Sequence, residues 1–381
     1  MADRLQRVSS IADVPPAVWD ALAAAGGTVF NPFVTHAFLA ALEDSGSVGG
    51  KTGWLPQHLV LEQDGLITGV VPCYLKSHSM GEYVFDHGFA DAFHRAGGHY
   101  YPKLQVSVPF TPVTGPRLLA ATPERRALLA EGLKATAREL GASSVHITFL
   151  PEGEWQQLSS HGFLQRQDIQ FHWRNNGYGS FDDFLAGLSS AKRKNIRKER
   201  RVVADAGISF EHATGDGLTK EHWEQFFRFY MDTGSRKWGK PYLTRAFFSR
   251  LHETMRQHVL LVMARREGRI IAGALNFIGS ETLYGRNWGC AEDHPFLHFE
   301  TCYYQAIDFA IARGLKVVEA GAQGEHKLAR GYLPVKTYSL HHFGHEGLAR
   351  AVAEYLESER EAVDENQQVL AEHSPFRVER E

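Results

Sequence analysis

"HVLLVMARREGRIIAGALNFIGSETLYGRNWGCAEDHPFLHFETCYYQAIDFAIARGLKVVEAG", His258 to Gly321, is the stretch that decides the fold. VLLVMARR and RIIAGALNFIG are apolar runs joined at Glu267-Gly268, the composition of two strands and a tight turn. TLYGRNWG reads as a third strand. A helix opens near Pro295, where a missing N–H costs nothing in a first turn, and stops at Gly314. LKVVEAG is a short buried strand. Beyond it HKLARGY holds one or two helical turns, and KTYSLHHFG is a last strand.

Working outward, the first half repeats this order. HLVLEQDGLITGVVPCYL, from His58, reads as a hairpin. KLQVSVPF alternates, with Leu104, Val106, Val108 and Phe110 on one face. TPERRALLAEGLKATARELG is a helix with Thr122 as cap, Pro123 in the first turn and Gly141 at the end. SSVHITFL is a buried strand, GEWQQLSSHG a short helix and FLQRQDIQFHWRN a strand. Local spelling agrees as well: His58-Leu-Val-Leu answers His258-Val-Leu-Leu, and ARELGASSV answers AIARGLKVV. The natural reading is a duplicated α/β unit, with chance likeness of two unrelated domains as the alternative. The expected division is an N-terminal domain over 1–175, a C-terminal domain over 176–356 and a charged tail over 357–381. ESEREAVDENQQ in that tail is expected to be frayed or disordered.

The chain has 381 residues, enough for two domains, and its 22% charged and 43% hydrophobic residues are ordinary for a globular protein. A net charge of -3 argues against a dedicated nucleic-acid binder. Cys73, Cys290 and Cys302 are too few and too scattered for a disulfide framework or a zinc site, so a reducing compartment is expected. MADRLQRVSS has no apolar core of a signal peptide, and no run approaches a membrane span. The expectation is a cytoplasmic protein.

Four stretches carry a family likeness: YYPKLQVSVPFTPVTGPRLL, AKRKNIRKERR, LHFETCYYQAIDFAIARGLK and GAQGEHKLARGYLPVKTYS. With the doubled order of elements, they resemble the FemAB-like branch of the Gcn5-related N-acyltransferase superfamily, proteins labelled peptidoglycan biosynthesis/recognition. The resemblance covers nearly the whole chain. It implies a tandem duplicated Gcn5-related N-acyltransferase fold of mixed sheets with flanking helices, and N-acyl transfer as the activity. The group includes bacterial ceramide synthases, which join a fatty acyl thioester to the amine of a sphingoid base.

Making an amide from a thioester requires a proton acceptor for the ammonium, a polarised carbonyl and a proton for the leaving group. In the acyltransferase fold two central parallel strands part and hold the thioester in the gap. Here TLYGRNWG and LKVVEAG are those strands, and the polar loop EAGAQGEHKLARGY starts at the carboxyl end, where ligands of α/β sheets sit. On the intervening helix His298, Thr301, Gln305 and Asp308 share a polar stripe, while Glu300 falls among apolar residues. Glu300 is therefore either a general base or amine anchor, or one half of a salt bridge to a neighbouring element, such as to Arg286 or Arg330. His326 is the best proton carrier by type, with Glu325 to orient it. The resemblance implies that Tyr332, a tyrosine after the second of these strands, protonates the thiolate. Lys327 and Arg330 offer charge to the phosphates of acyl-CoA or of an acyl carrier protein. RNWGCA, with Arg286, Trp288 and Gly289, is a partial match to the superfamily's pyrophosphate loop, interrupted by EDHPF. His298, Glu319 and Gln323 are read as substrate contacts, joined by Lys103, Gln105 and Thr111 of the first copy.

KRKNIRKERR, Lys192 to Arg201, is a basic helix that suits a carrier phosphate or an anionic membrane surface, or is a solvated face. The aromatics between Trp223 and Phe248 are either a lipid groove or the core of two helices. Three functions compete: transfer from a fatty acyl thioester to a long-chain amine, aminoacyl transfer from charged tRNA to a peptidoglycan precursor, and non-catalytic lipid or muropeptide binding.

Overall fold

The computed structural model describes residues 3–27, 29–238, 241–321 and 324–377. Its first half holds strands β1 (Asp3–Val8), β2 (Trp54–Pro56), β3 (His58–Gln63), β4 (Leu66–Val71), β5 (Cys73–Lys76), β6 (Lys103–Val106), β7 (Leu119–Ala120), β8 (Ser144–Leu150) and β9 (Leu164–Arg174). Helices α1 (Pro16–Ala23), α2 (His36–Asp44), α3 (His87–Arg95), α4 (Pro123–Glu139) and α5 (Glu152–Ser159) lie between them. The Thr122 hydroxyl accepts from Arg125 N–H and Pro123 sits in the first turn, so α4 begins where its cap dictates.

The second half opens with helices α6 (Phe181–Gly187) and α7 (Ser190–Asp205), then β10 (Ile208–Thr214), α8 (Lys220–Trp238) and α9 (Arg245–Met255). Strands β11 (Val259–Arg266), β12 (Arg269–Ile278) and β13 (Thr282–Cys290) follow. One helix comes next: α-helical parts α10 (Leu297–Phe299) and α11 (Gln305–Ala312) are joined by a π-helical stretch, Glu300–Tyr304. The chain closes with β14 (Val317–Glu319), a 3₁₀ segment Glu325–Arg330, β15 (Leu333–Phe343) and α12 (Glu346–Glu372).

Two compact units emerge, and they differ from the division at 175/176. One comprises Met1–Ile169 with Lys336–Glu365, the other Gln170–Val335 with Asn366–Glu381. The reason is an exchange of strands. In the first unit β8 pairs antiparallel with β15, from Tyr338↔Leu150 to Phe343↔Ser144. In the second, β14 pairs antiparallel with the end of β9, from Val317↔Arg174 to Glu319↔His172. Each sheet is thus finished by a strand encoded in the other half. The tail is also more ordered than its charge suggests: α12 runs to Glu372, and beyond it the half-buried Phe376 packs edge-on against Phe184 of the second unit.

Within the first unit β6 runs parallel to β8 and antiparallel to β5, with β2 beyond, while β1, β3, β4 and β7 form a separate sheet. Leu104 and Val106 of β6 and Val145 and Ile147 of β8 pack against Leu129, Leu133 and Ala137 of α4. The alternation expected through Phe110 stops short. Phe110 adopts a left-handed φ of 59° and packs edge-on against Trp54 instead. In the second unit the order is β10-β11-β12-β13-β14-β9, antiparallel except for β13 beside β14. The aromatics of α8 and α9 are mostly core: Phe226, Phe229, Tyr230, Phe247 and Phe248 are buried, while Phe227 and Tyr242 are half-buried. Trp238's side chain is outside the described residues. Among the described residues no helix is long and apolar enough to cross a membrane.

Candidate active site

Parallel pairing of β13 with β14 lasts only from Thr282↔Val317 to Tyr284↔Glu319. Past that point β13 continues against β12 alone. Its register slips there, with Leu275 opposite Asn287 but Asn276 opposite Gly285, which leaves Arg286 as an extra, bulged residue. A bulge of this kind bends a strand and re-aims one side chain. Gly285 is needed beside it, because a Cβ would lie 3.2 Å from the Glu319 carbonyl oxygen. The sequence therefore builds a gap mouth from Arg286 on one strand and Glu319 at the end of the other.

Glu319 is the most perturbed carboxyl of this mouth. It is 9% exposed, and its Oε2 has no hydrogen-bond partner among the described residues. Burial pushes its pKa up to about 8 against a smaller opposing pull from Arg286. Across β14, burial and the charges of Arg174 and Lys327 hold His172 neutral, with a pKa lowered to about 3.

The following loop supplies cations. Lys327 is buried, donates from Nζ to the Gly321 carbonyl at 2.8 Å, and has its pKa lowered to about 8, chiefly by burial. His326 Nε2 and the Tyr303 hydroxyl are hydrogen-bonded at 2.9 Å. Burial, then the charges of Arg330 and Lys327, depress the imidazole pKa. Arg330 stacks over the Phe299 ring at 3.4 Å, donates to the His326 carbonyl at 2.8 Å and to Glu199 Oε1 at 2.9 Å. Tyr304 donates to the other oxygen of Glu199. This clamp from α7 fixes the short 3₁₀ turn, which closes on Gly331 in the left-handed region at φ 89°.

Glu300 opens the π-helical stretch, a form that recurs at functional sites because its extra residue shifts the helix face. That shift also buries Thr301 and Gln305, which the regular helical stripe would have exposed. Glu300 does form a salt bridge to a neighbouring element, though its partner is neither Arg286 nor Arg330. It is Arg200 of α7, with NH2 3.0 Å from Oε1, while Gln305 donates to the same oxygen at 2.7 Å. Arg200 also binds Asp308 at 2.7 Å. Oε2 of Glu300 is buried without a hydrogen-bond partner among the described residues, and burial raises its pKa against the pull of Arg200.

These features match one protein family, described as peptidoglycan biosynthesis/recognition, over residues 10–378. The chain belongs to the FemAB-like family. Its fold is similar to that of FemX, at a TM-score of 0.58 and 11% identity over 93% of this chain and 100% of that one. L-PGS from Bacillus licheniformis follows at 0.52 and 11%, covering 87% and 98%. A C-terminal DUF2156 domain from Agrobacterium fabrum gives 0.56 and 9%, covering 92% and 97%. No curated protein matches the chain. Family and fold give this FemAB-like chain the duplicated Gcn5-related N-acyltransferase architecture.

Within the FemAB-like site, Arg286, Glu319, Lys327, His326 and Arg330 come together as the sequence suggests, and the Trp288 and His298 rings lie 5.0 Å apart. Other expected residues do not join them. Gly289 is a packing glycine, since a Cβ there would meet the Phe229 carbonyl oxygen at 2.4 Å. Tyr332 is fully buried, and its hydroxyl donates to the Tyr303 carbonyl at 3.3 Å rather than facing the gap. Gln323 and the side chain of Glu325 lie outside the described residues. The expected pyrophosphate loop carries Glu292, which binds Arg266 and His294, and exposed Asp293. Glu292 is also within 3.5 Å of Arg269. Glu199, Arg200 and Tyr303 are not singled out by the sequence, because the long-range contact of Glu300 with Arg200 leaves no signal in composition.

Lys103, Gln105 and Thr111 are buried in the first unit. Lys103 donates to Glu82 Oε2 at 2.6 Å, to Ser79 Oγ at 2.9 Å and to Asp86. Tyr100 donates to Asp86 at 2.8 Å, and His146 Nδ1 lies 2.7 Å from His341 Nδ1. Gln105 donates to Thr148 at 3.0 Å, and Thr111 to the Pro109 carbonyl at 3.0 Å. Along one face of β5, β6, β8 and β15 the unit thus buries a polar network instead of an apolar core.

Proposed function

We propose that this protein is an aminoacyl transferase of the FemAB type, moving an aminoacyl group from a charged tRNA to the amine of a peptidoglycan precursor. The observation that carries the reading is the buried oxygen of Glu319, without a hydrogen-bond partner among the described residues, at the parting of β13 and β14 and within the field of Arg286. In this reading the acceptor amine attacks the ester carbonyl and passes its proton to Glu319, whose pKa near 8 suits that exchange. Lys327 stabilises the oxyanion that develops. As the carbon–oxygen bond breaks, the hydrogen-bonded Tyr303 and His326 return a proton to the leaving ribose oxygen. Glu300, held by Arg200, orients the helix that carries Tyr303.

One observation weighs against a fatty acyl chain: Phe226, Phe229, Tyr230, Phe247 and Phe248 of α8 and α9 are buried in the core. The test offers purified protein a charged tRNA with a peptidoglycan precursor bearing a free amine. A parallel reaction contains palmitoyl-CoA with sphinganine, monitored for released thiol. Aminoacyl transfer is expected in the first, with kcat lowered at least about a hundredfold by Glu319→Gln. Thiol release without tRNA-dependent transfer would replace this reading with a ceramide synthase-like one.

A further inference from the structure

We infer that the outer face of α7 is a docking surface for the phosphate backbone of RNA, which brings the donor's acceptor end to the site. This rests on the aminoacyl-tRNA reading above. Between Lys192 and Arg201 the helix carries seven cations and one carboxylate, in a chain whose net charge is -3. The charge is sorted by face. Ile196 and Val203 are buried, and Glu199 and Arg200 turn inward to Arg330 and Glu300. Lys194, Arg197, Lys198 and Arg201 are exposed, at spacings that stack them along one side of the helix.

Most of that positive charge is uncommitted. Arg197 pairs with exposed Asp182 at 3.0 Å, but among the described residues no carboxylate lies within 4 Å of Lys194, Lys198 or Arg201. A row of cations about 10 Å long, at a rise of about 1.5 Å per residue, spans several phosphates of a nucleic-acid strand. Because a helix is only about 10–12 Å across, phosphates on this face lie one helix width from the Glu199–Arg330 and Arg200–Glu300 contacts.

An anionic membrane is the other partner that a basic helix suits. Interfacial helices place Trp, Phe or Leu beside their cations. None of the exposed large hydrophobic residues of the described chain lies on α7. The face is built for a hydrated polyanion.

The experiment compares wild type with the triple variant Lys194→Gln, Lys198→Gln, Arg201→Gln, measuring binding of fluorescein-labelled tRNA by anisotropy between 50 and 250 mM KCl. The slope of log K against log salt should flatten by about 2–3, and affinity at 100 mM should fall at least about tenfold. Turnover of an aminoacyl ester of adenosine, which lacks the RNA body, should be unchanged. Equal tRNA binding by both proteins would overturn the docking surface and leave the transferase reading standing. If wild type binds no tRNA at all, the donor assignment fails and the surface with it. Binding to phosphatidylglycerol vesicles that depends on the three cations, with no effect on tRNA, would assign the face to a membrane.

Discussion

Glu319→Gln should make the protein more stable while disabling it. The carboxyl pKa of Glu319 rises from 4.5 to about 8 because burial penalises the charged form. An acid whose folded value is raised contributes full stability below its unfolded value and loses it as pH climbs through the folded value. The window is therefore about pH 4.5 to 8. At about 1.4 kcal/mol per pH unit, wild type loses under about 1 kcal/mol by pH 5, about 3 by pH 7 and about 4–5 by pH 9. Glutamine fills the same space without a charge to desolvate. For a unit of this size each kcal/mol moves Tm by about 2–4 °C, so the variant should melt at least about 5 °C above wild type at pH 8.5 and near it at pH 5. Differential scanning fluorimetry across pH 5–9 measures the difference. A gap that stays flat with pH, or a variant that is the less stable one at pH 8.5, would show that Glu319 is not the desolvated carboxyl argued for. Such a group, costly to the fold and kept at a strand parting, is what stability traded for chemistry looks like.

Two further outcomes follow from the geometry. Lys103→Met leaves Glu82 and Asp86 without their shared cation and should cost about 3–5 kcal/mol in urea unfolding, partly recovered when Glu82→Gln and Asp86→Asn are added; a loss under about 1 kcal/mol would contradict the buried network. Tyr332→Phe should keep wild-type kcat, losing only about 1 kcal/mol of stability from its bond to Tyr303, whereas a large drop in kcat measured in the transfer assay would return Tyr332 to the reaction.

Much of this architecture is written in local patterns. The apolar runs of β11, β12 and β13, the Thr122–Pro123 start of α4 and the doubled order of elements all survive folding as expected. The polar loop after Glu319 does assemble a cluster. What local pattern does not encode is partnership. Nothing in KTYSLHHFG says that it pairs with β8, and nothing in the end of β9 says that it pairs with β14, because either strand is equally satisfied by any complementary edge. Arg200 stayed hidden for a related reason: inside a run of cations, the one that turns inward is chosen by its helical phase against Glu300. Strands β1 and β10 were missed because DRLQRV and ISFEHAT are half-exposed, and their polar positions dilute the strand signal. The first unit's charged network escaped notice since Glu82 and Asp86 lie in a segment without periodicity.

The crossed ownership of the last strands has a consequence during synthesis. The first unit has most of its residues once Ile169 is made, yet β15 ends only at Phe343. At about 5–20 residues per second, the ribosome takes roughly 10–35 s to deliver it. Throughout that interval β8 waits as an open edge, a template to which stray nascent chains can add. Expressing either half as a separate gene would make that interval permanent.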